Sequence, residues 1–324
     1  MLPRTRAGGS QVDMSRHHVI EPTPENMVYG FFDATLPPVL EVDSGDTVTL
    51  TSWPAGGLDS MPPDRSRVDE LNFAAHERSL GDGPHFVTGP IYVRGAEPGD
   101  VLQIDILSHE LPYDWGFVSI LPLLGTLPDE FTEYETIFPD IDRNQRTMKL
   151  PWGKELPLDP FFGVLAVAPP KAWGRQPTPP PRVFGGNMDN KELKPGTTLY
   201  LPVFNEGALF SAGDGHGVQG DGEVCITALE TGVTGTFRLT LRKDMELDWP
   251  FAESATHLMS IGLDEDLDDA AKQATREMVK HVCERTNLSR NQAYMLCSLA
   301  GNLRVTQMVD GNKGVHMLLR KSLL

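Results

Sequence analysis

The 324-residue chain is 40% hydrophobic and 23% charged, an ordinary globular balance with enough length for a large core. Its formal net charge of −17 argues against nucleic-acid binding, which needs a basic face, and against docking on anionic membranes. Three cysteines, Cys225, Cys283 and Cys297, form no C-x-x-C pair and point to reduced thiols in a cytoplasmic setting, and no apolar run approaches the ~20 residues that span a bilayer.

The start, MLPRTRAGGSQVDMS, is basic but lacks the apolar segment of a secretory signal. Residues 1–16 read as a disordered tail, with Met14 an alternative start, and 17–324 as one catalytic unit. Glycine (31) and proline (27) are spread throughout, so turns are frequent and long helices cannot dominate. Short strands are expected at Val39–Val42, Thr47–Thr51 and Val101–Leu107. The last two alternate apolar and polar residues, as half-buried strands do. Each follows a Gly-Asp pair, Gly45-Asp46 and Gly99-Asp100, which suggests one turn type used twice. Residues 108–182 are rich in proline and read as loops over a few strands, including Gly163–Ala168. Strands return at Thr198–Val203, Glu223–Leu229 and Thr236–Leu241.

Near residue 264 the period changes. Leu267, Ala270, Ala271, Ala274, Met278 and Val282 recur at helical spacing, behind the acidic start Asp264, Asp266, Asp268 and Asp269. A second helix is expected from the N-cap Ser289 to Gly301, then strands at Leu303–Val309 and Val315–Leu319. The expected architecture is mainly β over 17–262, with a helical hairpin and closing strands over 263–324.

The densest set of polar side chains lies between residues 185 and 223. Gly185-Gly186-Asn187-Met188-Asp189-Asn190 precedes a run from Ser211 to Glu223 in which glycines separate Asp214, His216, Asp221 and Glu223. Glycine lets the backbone fold tightly, so short side chains can converge on one ion. Asp and His at i and i+2 both reach a metal from an irregular or extended segment, and a mixed N/O set suits hydrolytic zinc. Spacing alone does not separate this from a glycine-rich turn between strands. No EF-hand pattern supports a calcium loop. His85 sits among Gly and Pro residues that predict a loop, and Asp114-Trp115-Gly116 offers an aromatic wall. G-x-S-x-G, H-E-x-x-H and P-loop patterns are absent. Cys225 in a strand pattern and Cys297 in a helix do not read as nucleophiles.

Gly213–Glu223 (GDGHGVQGDGE), Gly185–Asn190 (GGNMDN), Gly89–Asp100 (GPIYVRGAEPGD) and Ala293–Ala300 (AYMLCSLA) together resemble the acetamidase/formamidase family, from about His18 to Val315. The resemblance implies a largely β fold with sandwich-like and barrel-like parts. It also implies a divalent metal, zinc with calcium as the alternative, and hydrolysis of small linear amides to carboxylate and ammonia. Carried over, Asp214 and His216 are the expected ligands, with Asp189 and His85 next. Glu223 is the expected general base and Asn187 the oxyanion support. Trp115 and Asn190 are expected to touch substrate. Two departures stand out. After the second strand the chain reads Trp53-Pro54-Ala55-Gly56-Gly57-Leu58-Asp59, with Asp59 a displaced equivalent of an expected Asp-Ala-Gly. The C-terminal Leu319-Arg320-Lys321 lacks an expected proline. Two alternatives stand beside this reading: a cyclic amide hydrolase of the same fold, and a non-catalytic calcium- and carbohydrate-binding β module. A homodimer or higher homo-oligomer is expected, because β edges need cover.

Overall fold

The computed structural model describes residues 15–56 and 81–324. Asp59 and the expected tail up to Met14 lie outside them. Two large sheets form, one from strands that alternate apolar and polar residues, such as Thr47–Thr51, the other around strands buried at every residue, such as Phe161–Ala166. The first has nine strands, in the order His17–Ile20, Thr47–Thr51, Thr234–Arg242, Val101–Glu110, Thr197–Pro202, Phe251–Ser254, His257–Asp264, Lys313–Arg320 and Asn302–Gln307. The second has seven. Gly185–Asn187, Phe161–Ala166, Phe210–His216, Phe86–Val93 and Met27–Tyr29 form its path, Glu230–Thr231 pairs with Phe210–His216, and Leu40–Val42 lies parallel to Phe86–Val93.

The sheets pack over a shared core. Leu50, Ile104, Leu199 and Phe237 of the first meet Val87, Phe162, Val164 and Phe210 of the second. Fully burying a side chain of this size contributes roughly 1.5–3 kcal/mol. Period two decides the faces: Leu199 and Leu201 join the inter-sheet core, whereas Tyr200 between them joins Phe251, Met278, Val282 and Cys297 under the helices. Those helices are α1, Leu267–Arg285, and α2, Arg290–Ala300. The Asp266 side chain accepts from the Asp268 and Asp269 N–H groups, and Ser289 with Gln292 forms a capping box.

The turn used twice is present. Asp46 N–H donates to Asp43 C=O (3.0 Å) and Asp100 N–H to Glu97 C=O (3.1 Å), with Gly45 and Gly99 both at φ 97°. In each, the aspartate carboxylate accepts from the N–H three residues earlier.

One open expectation resolves and two others change. The Gly-rich run, open between an extended segment and a turn, is both: Ser211–His216 ends the buried strand Phe210–His216, and residues 217–223 turn away from it. The residues after His85 form the eight-residue strand Phe86–Val93 rather than a loop. Glu223–Leu229, expected as a strand, is a loop, with Glu223 at φ 47° and Ile226 at φ 82°. Of its apolar residues, Ile226 lines a cavity and Leu229 packs against Met148 and Leu158. Neither large sheet closes on itself, so the barrel-like part is an open sheet.

Candidate metal centre

Strand Phe210–His216 is buried along its whole length and runs between Phe161–Ala166 and Phe86–Val93. Asp214 and His216 are two residues apart and so share one face. Asp189 follows strand Gly185–Asn187, and His85 precedes Phe86–Val93. Glu223 and Glu230 sit at the two ends of the loop that returns to the site strand, and Asp310 lies between the last two strands. The space for these side chains exists because position 163 is glycine. A Cβ there would meet Asp189 Oδ1, Asp214 Oδ2 at 2.5 Å and His216 Cε1 at 3.0 Å.

His216 is the hub. Its Nε2 lies 3.2 Å from Asp214 Oδ2, 3.3 Å from Glu230 Oε1 and 4.0 Å from Glu223 Oε1, and its Nδ1 lies 3.7 Å from Asp189 Oδ1. His85 Nε2 is 3.8 Å from Asp214 Oδ2. Gln219 fixes the His216 tautomer. Its Nε2 donates to the Asp189 carbonyl (2.9 Å), which can only accept, so its Oε1 faces His216 Nδ1 (2.9 Å) and Nδ1–H donates. Nε2 is thereby the ring nitrogen left for Asp214 and Glu230, where a bound cation would take the place of its proton. His85 Nδ1 likewise pairs with Thr178 Oγ1 (2.8 Å), leaving Nε2 toward the site.

The electrostatics are those of crowded acids. Burial would raise the Asp214 carboxyl, but the His85 and His216 imidazoles outweigh it and hold it at about 2. Burial would lower His216, but Glu230 and Asp214 outweigh it and push it well above its usual range. Burial, reinforced by neighbouring carboxylates, lifts Asp189 to about 7 and pushes Glu223, Glu230 and Asp310 upward. Six carboxylate oxygens of these five acids are buried without a hydrogen-bond partner among the described residues, as is Asn187 Oδ1. Taking such ions out of water costs several kcal/mol each unless a cation or proton compensates. Oxygen donors joined by an imidazole nitrogen suit a divalent cation.

Two overlapping groups have ligand atoms within 4.8 Å of one another: Asp214, His216 and Glu230, and Asp189, His216 and Glu223. The first fits better, because His216 Nε2 lies within 3.3 Å of both its carboxylates, against 4.0 Å from Glu223. The backbone is also strained here. Asp189 (45°), Asp214 (57°), Glu223 (47°) and Ile226 (82°) all have positive φ, costing roughly 1–3 kcal/mol each, a price found where function fixes the geometry.

Above the cluster lies a cavity of 370 Å³ whose lining includes His85, Asn187, Asp214, His216, Glu223, Glu230 and Asp310. Asp189 touches the cluster from beside it. Two expected substrate residues lie elsewhere. Trp115 packs with Met27, Trp53 and Phe86, and the Asn190 amide donates to Met259 Sδ (3.2 Å) while its Oδ1 accepts from Glu192 N–H (3.1 Å). Neither lines the cavity, because each is committed to internal packing. Glu230 and Asp310 were not expected. An acid inside the apolar run Cys225–Val233 was a usable signal for Glu230. Asp310 in Val309-Asp310-Gly311-Asn312 looks like an ordinary hairpin turn.

The Acetamidase/Formamidase family matches this chain over residues 22–176 and 172–319. A formamidase of Methylophilus methylotrophus is 30% identical over 191 residues, 43% of this chain and 47% of that relative. An acetamidase of Mycolicibacterium smegmatis is 28% identical over 198 residues, 43% of this chain and 49% of that one. The matched stretch thus spans about half the length of these relatives. The crystal structure of an acetamidase from Bacillus halodurans superposes with a TM-score of 0.82 at 34% identity, covering 94% of this chain and 98% of that one.

Proposed function

The chain belongs to the acetamidase/formamidase family, and on that footing we propose that it hydrolyses the carbon–nitrogen bond of small non-peptide amides, giving carboxylate and ammonia. One observation carries the reading: a buried Asp214–His216–Glu230 set, with His216 Nε2 facing two carboxylates, on the floor of a cavity sized for a small molecule. These three residues would hold a divalent cation, zinc, with His85 in reach as a fourth. When bound, the ion supplies Lewis acidity toward the amide carbonyl and toward water.

The chain's own groups do the rest. Glu223, pushed up by burial, takes a proton from the attacking water as general base. The water oxygen bonds to the carbonyl carbon, the carbon–nitrogen bond breaks, and Glu223 returns the proton to the leaving nitrogen. Asn187 on the cavity lining donates to the carbonyl oxygen as it gains charge. Gln219 keeps His216 in the required tautomer throughout.

Elemental analysis of the purified protein, beside ammonia release from a panel of linear and cyclic amides, tests this. We expect about one transition metal per chain, the stoichiometry of a single catalytic zinc site, and ammonia from linear amides. Glu230→Gln should lose metal and about 100-fold or more in kcat/KM. Ring opening without ammonia would favour the cyclic substrate class. A metal-free protein that turns over no amide would refute the reading.

We also place the protein in a reducing, cytoplasmic setting, on the strength of three free thiols. Self-association belongs to the same reading. Edge strand Asn302–Gln307 and the exposed Tyr294, Met295, Leu299 and Leu303 form an apolar border that a second copy would cover, so light scattering on the purified protein should give more than the monomer mass. No helix among the described residues is long and apolar enough to cross a membrane.

A further inference from the structure

We propose that the substrate is a carboxamide bearing a bulky hydrocarbon group, branched aliphatic or aromatic, rather than formamide or acetamide. The inference rests on amide hydrolysis at the centre above and narrows it to a substrate class. The cavity divides into a polar floor and apolar walls. Four carboxylates and two imidazoles take up the floor and would hold the amide end. Above it stand Phe117, Leu121, Leu124, Ile226, Val309 and Pro179.

The few polar atoms on that wall are already used. Ser119 N–H donates to Thr227 Oγ1 (2.9 Å), the Thr227 hydroxyl donates to Ser119 C=O (3.2 Å), and Ser119 Oγ pairs with Thr136 Oγ1 (2.7 Å). The bonds between Ser119 and Thr227, with Thr126 N–H to Val224 C=O (2.8 Å), tie the 117–127 segment to the 223–230 loop as one wall. Ile226 stands on it at φ 82°, a conformation a β-branched residue rarely adopts. Leu123 (74% exposed), Leu127 (49%) and Val224 (61%), on the same two segments as the lining residues Leu121, Leu124 and Ile226, add exposed apolar side chains. Clustered exposed apolar residues mark places where hydrocarbon binds.

Size points the same way. The 370 Å³ cavity falls within the roughly 300–1,000 Å³ of pockets that enclose whole organic ligands. A two-carbon amide, with four heavy atoms, fills about three times the ~30 Å³ share of one water molecule, a small part of this cavity. It would leave the apolar wall facing water, whereas a hydrocarbon tail would cover it.

The experiment is a homologous series on the metal-loaded protein as purified: acetamide, butanamide, hexanamide and phenylacetamide. Ammonia release and calorimetric binding are measured for each. We expect kcat/KM and affinity to rise about threefold to fourfold per added methylene until the cavity is full. The double variant Leu121→Gln/Leu124→Gln, at partly exposed positions, should flatten that slope. Acetamide as the best substrate, or a flat series in the parent, overturns the inference while leaving amide hydrolysis standing. If no amide releases ammonia, the hydrolytic reading fails. The binding series then decides: affinity rising with chain length upholds the hydrocarbon preference, and a flat series overturns it.

Discussion

Adding a single methyl group at Gly163 tests the centre from below. Gly163 lies in strand Phe161–Ala166, and its carbonyl accepts from the Met188 and Asp189 N–H groups at 3.0 and 3.2 Å. In Gly163→Ala the new Cβ would lie 2.5 Å from Asp214 Oδ2 and 3.0 Å from His216 Cε1. Ordinary contact begins at 3.4 Å, so the Asp214 carboxylate must retreat by about 0.9 Å. A misplacement of that order costs about 100-fold in rate, close to 2.7 kcal/mol of barrier. Overpacking costs about 1–3 kcal/mol of stability, offset by about 0.4–1 kcal/mol from the stiffer unfolded chain. The variant should therefore fold, with a net loss of about 1–2 kcal/mol. Urea unfolding, metal content and kcat/KM on one amide are the assay. Gly220→Ala is the control, because a Cβ there meets nothing within 4 Å, and it should stay within about 0.5 kcal/mol of the parent. Full metal content and parental kcat/KM in Gly163→Ala would refute the placement of the reaction centre on Asp214 and His216.

Two further outcomes follow from the same geometry. Gln219→Leu removes the acceptor that fixes His216 Nδ1–H, so metal affinity and kcat/KM should each fall about 10- to 100-fold, with about 1–3 kcal/mol of stability lost for each buried group left unpaired, and unchanged metal affinity and kcat/KM would show that the tautomer does not matter. His109 is buried between Phe162 and Phe237, donates from Nδ1 to Pro160 C=O (3.0 Å), and is pushed down to about 4, chiefly by burial. The unfolded chain, with histidine near about 6.5, binds the extra proton between these values, so the stabilising contribution is full above about pH 6.5 and is lost as pH falls toward about 4. Relative to His109→Gln, the parent should lose about 2 kcal/mol between about pH 7 and about pH 5 in denaturant titrations, and a constant gap would count against a buried neutral imidazole.

Much of this molecule is written locally. The period-two strands Thr47–Thr51, Val101–Glu110 and Thr234–Arg242, the two Gly-Asp turns, and both capped helices follow from short-range rules that act within a few residues. The motif resemblance likewise singled out Asp189, Asp214, His216, Glu223 and His85, which the fold brings close together.

What the sequence could not decide depends on contacts between distant segments. The Gly-rich run reads by composition as readily as a turn, and its first half, to His216, becomes a buried strand only because neighbouring strands satisfy its backbone on both sides. Glu223–Leu229 has a strand's apolar content, but with no partner strand along it among the described residues it forms a loop that presents Ile226 to the cavity and buries Leu229 beside Met148 and Leu158. Glu230 and Asp310 stand too far along the chain from Asp189 for any local pattern to group them. Strand pairing brings them in: Phe117 bridges to Glu230, and the two closing strands pair on either side of Asp310. The sequence by itself determined most of the elements, the family and most of the candidate ligands. The tertiary structure alone decided which acids share one buried space, which imidazole nitrogen faces them, and which wall stands opposite, because burial and the charge it perturbs arise only when segments far apart in the chain meet.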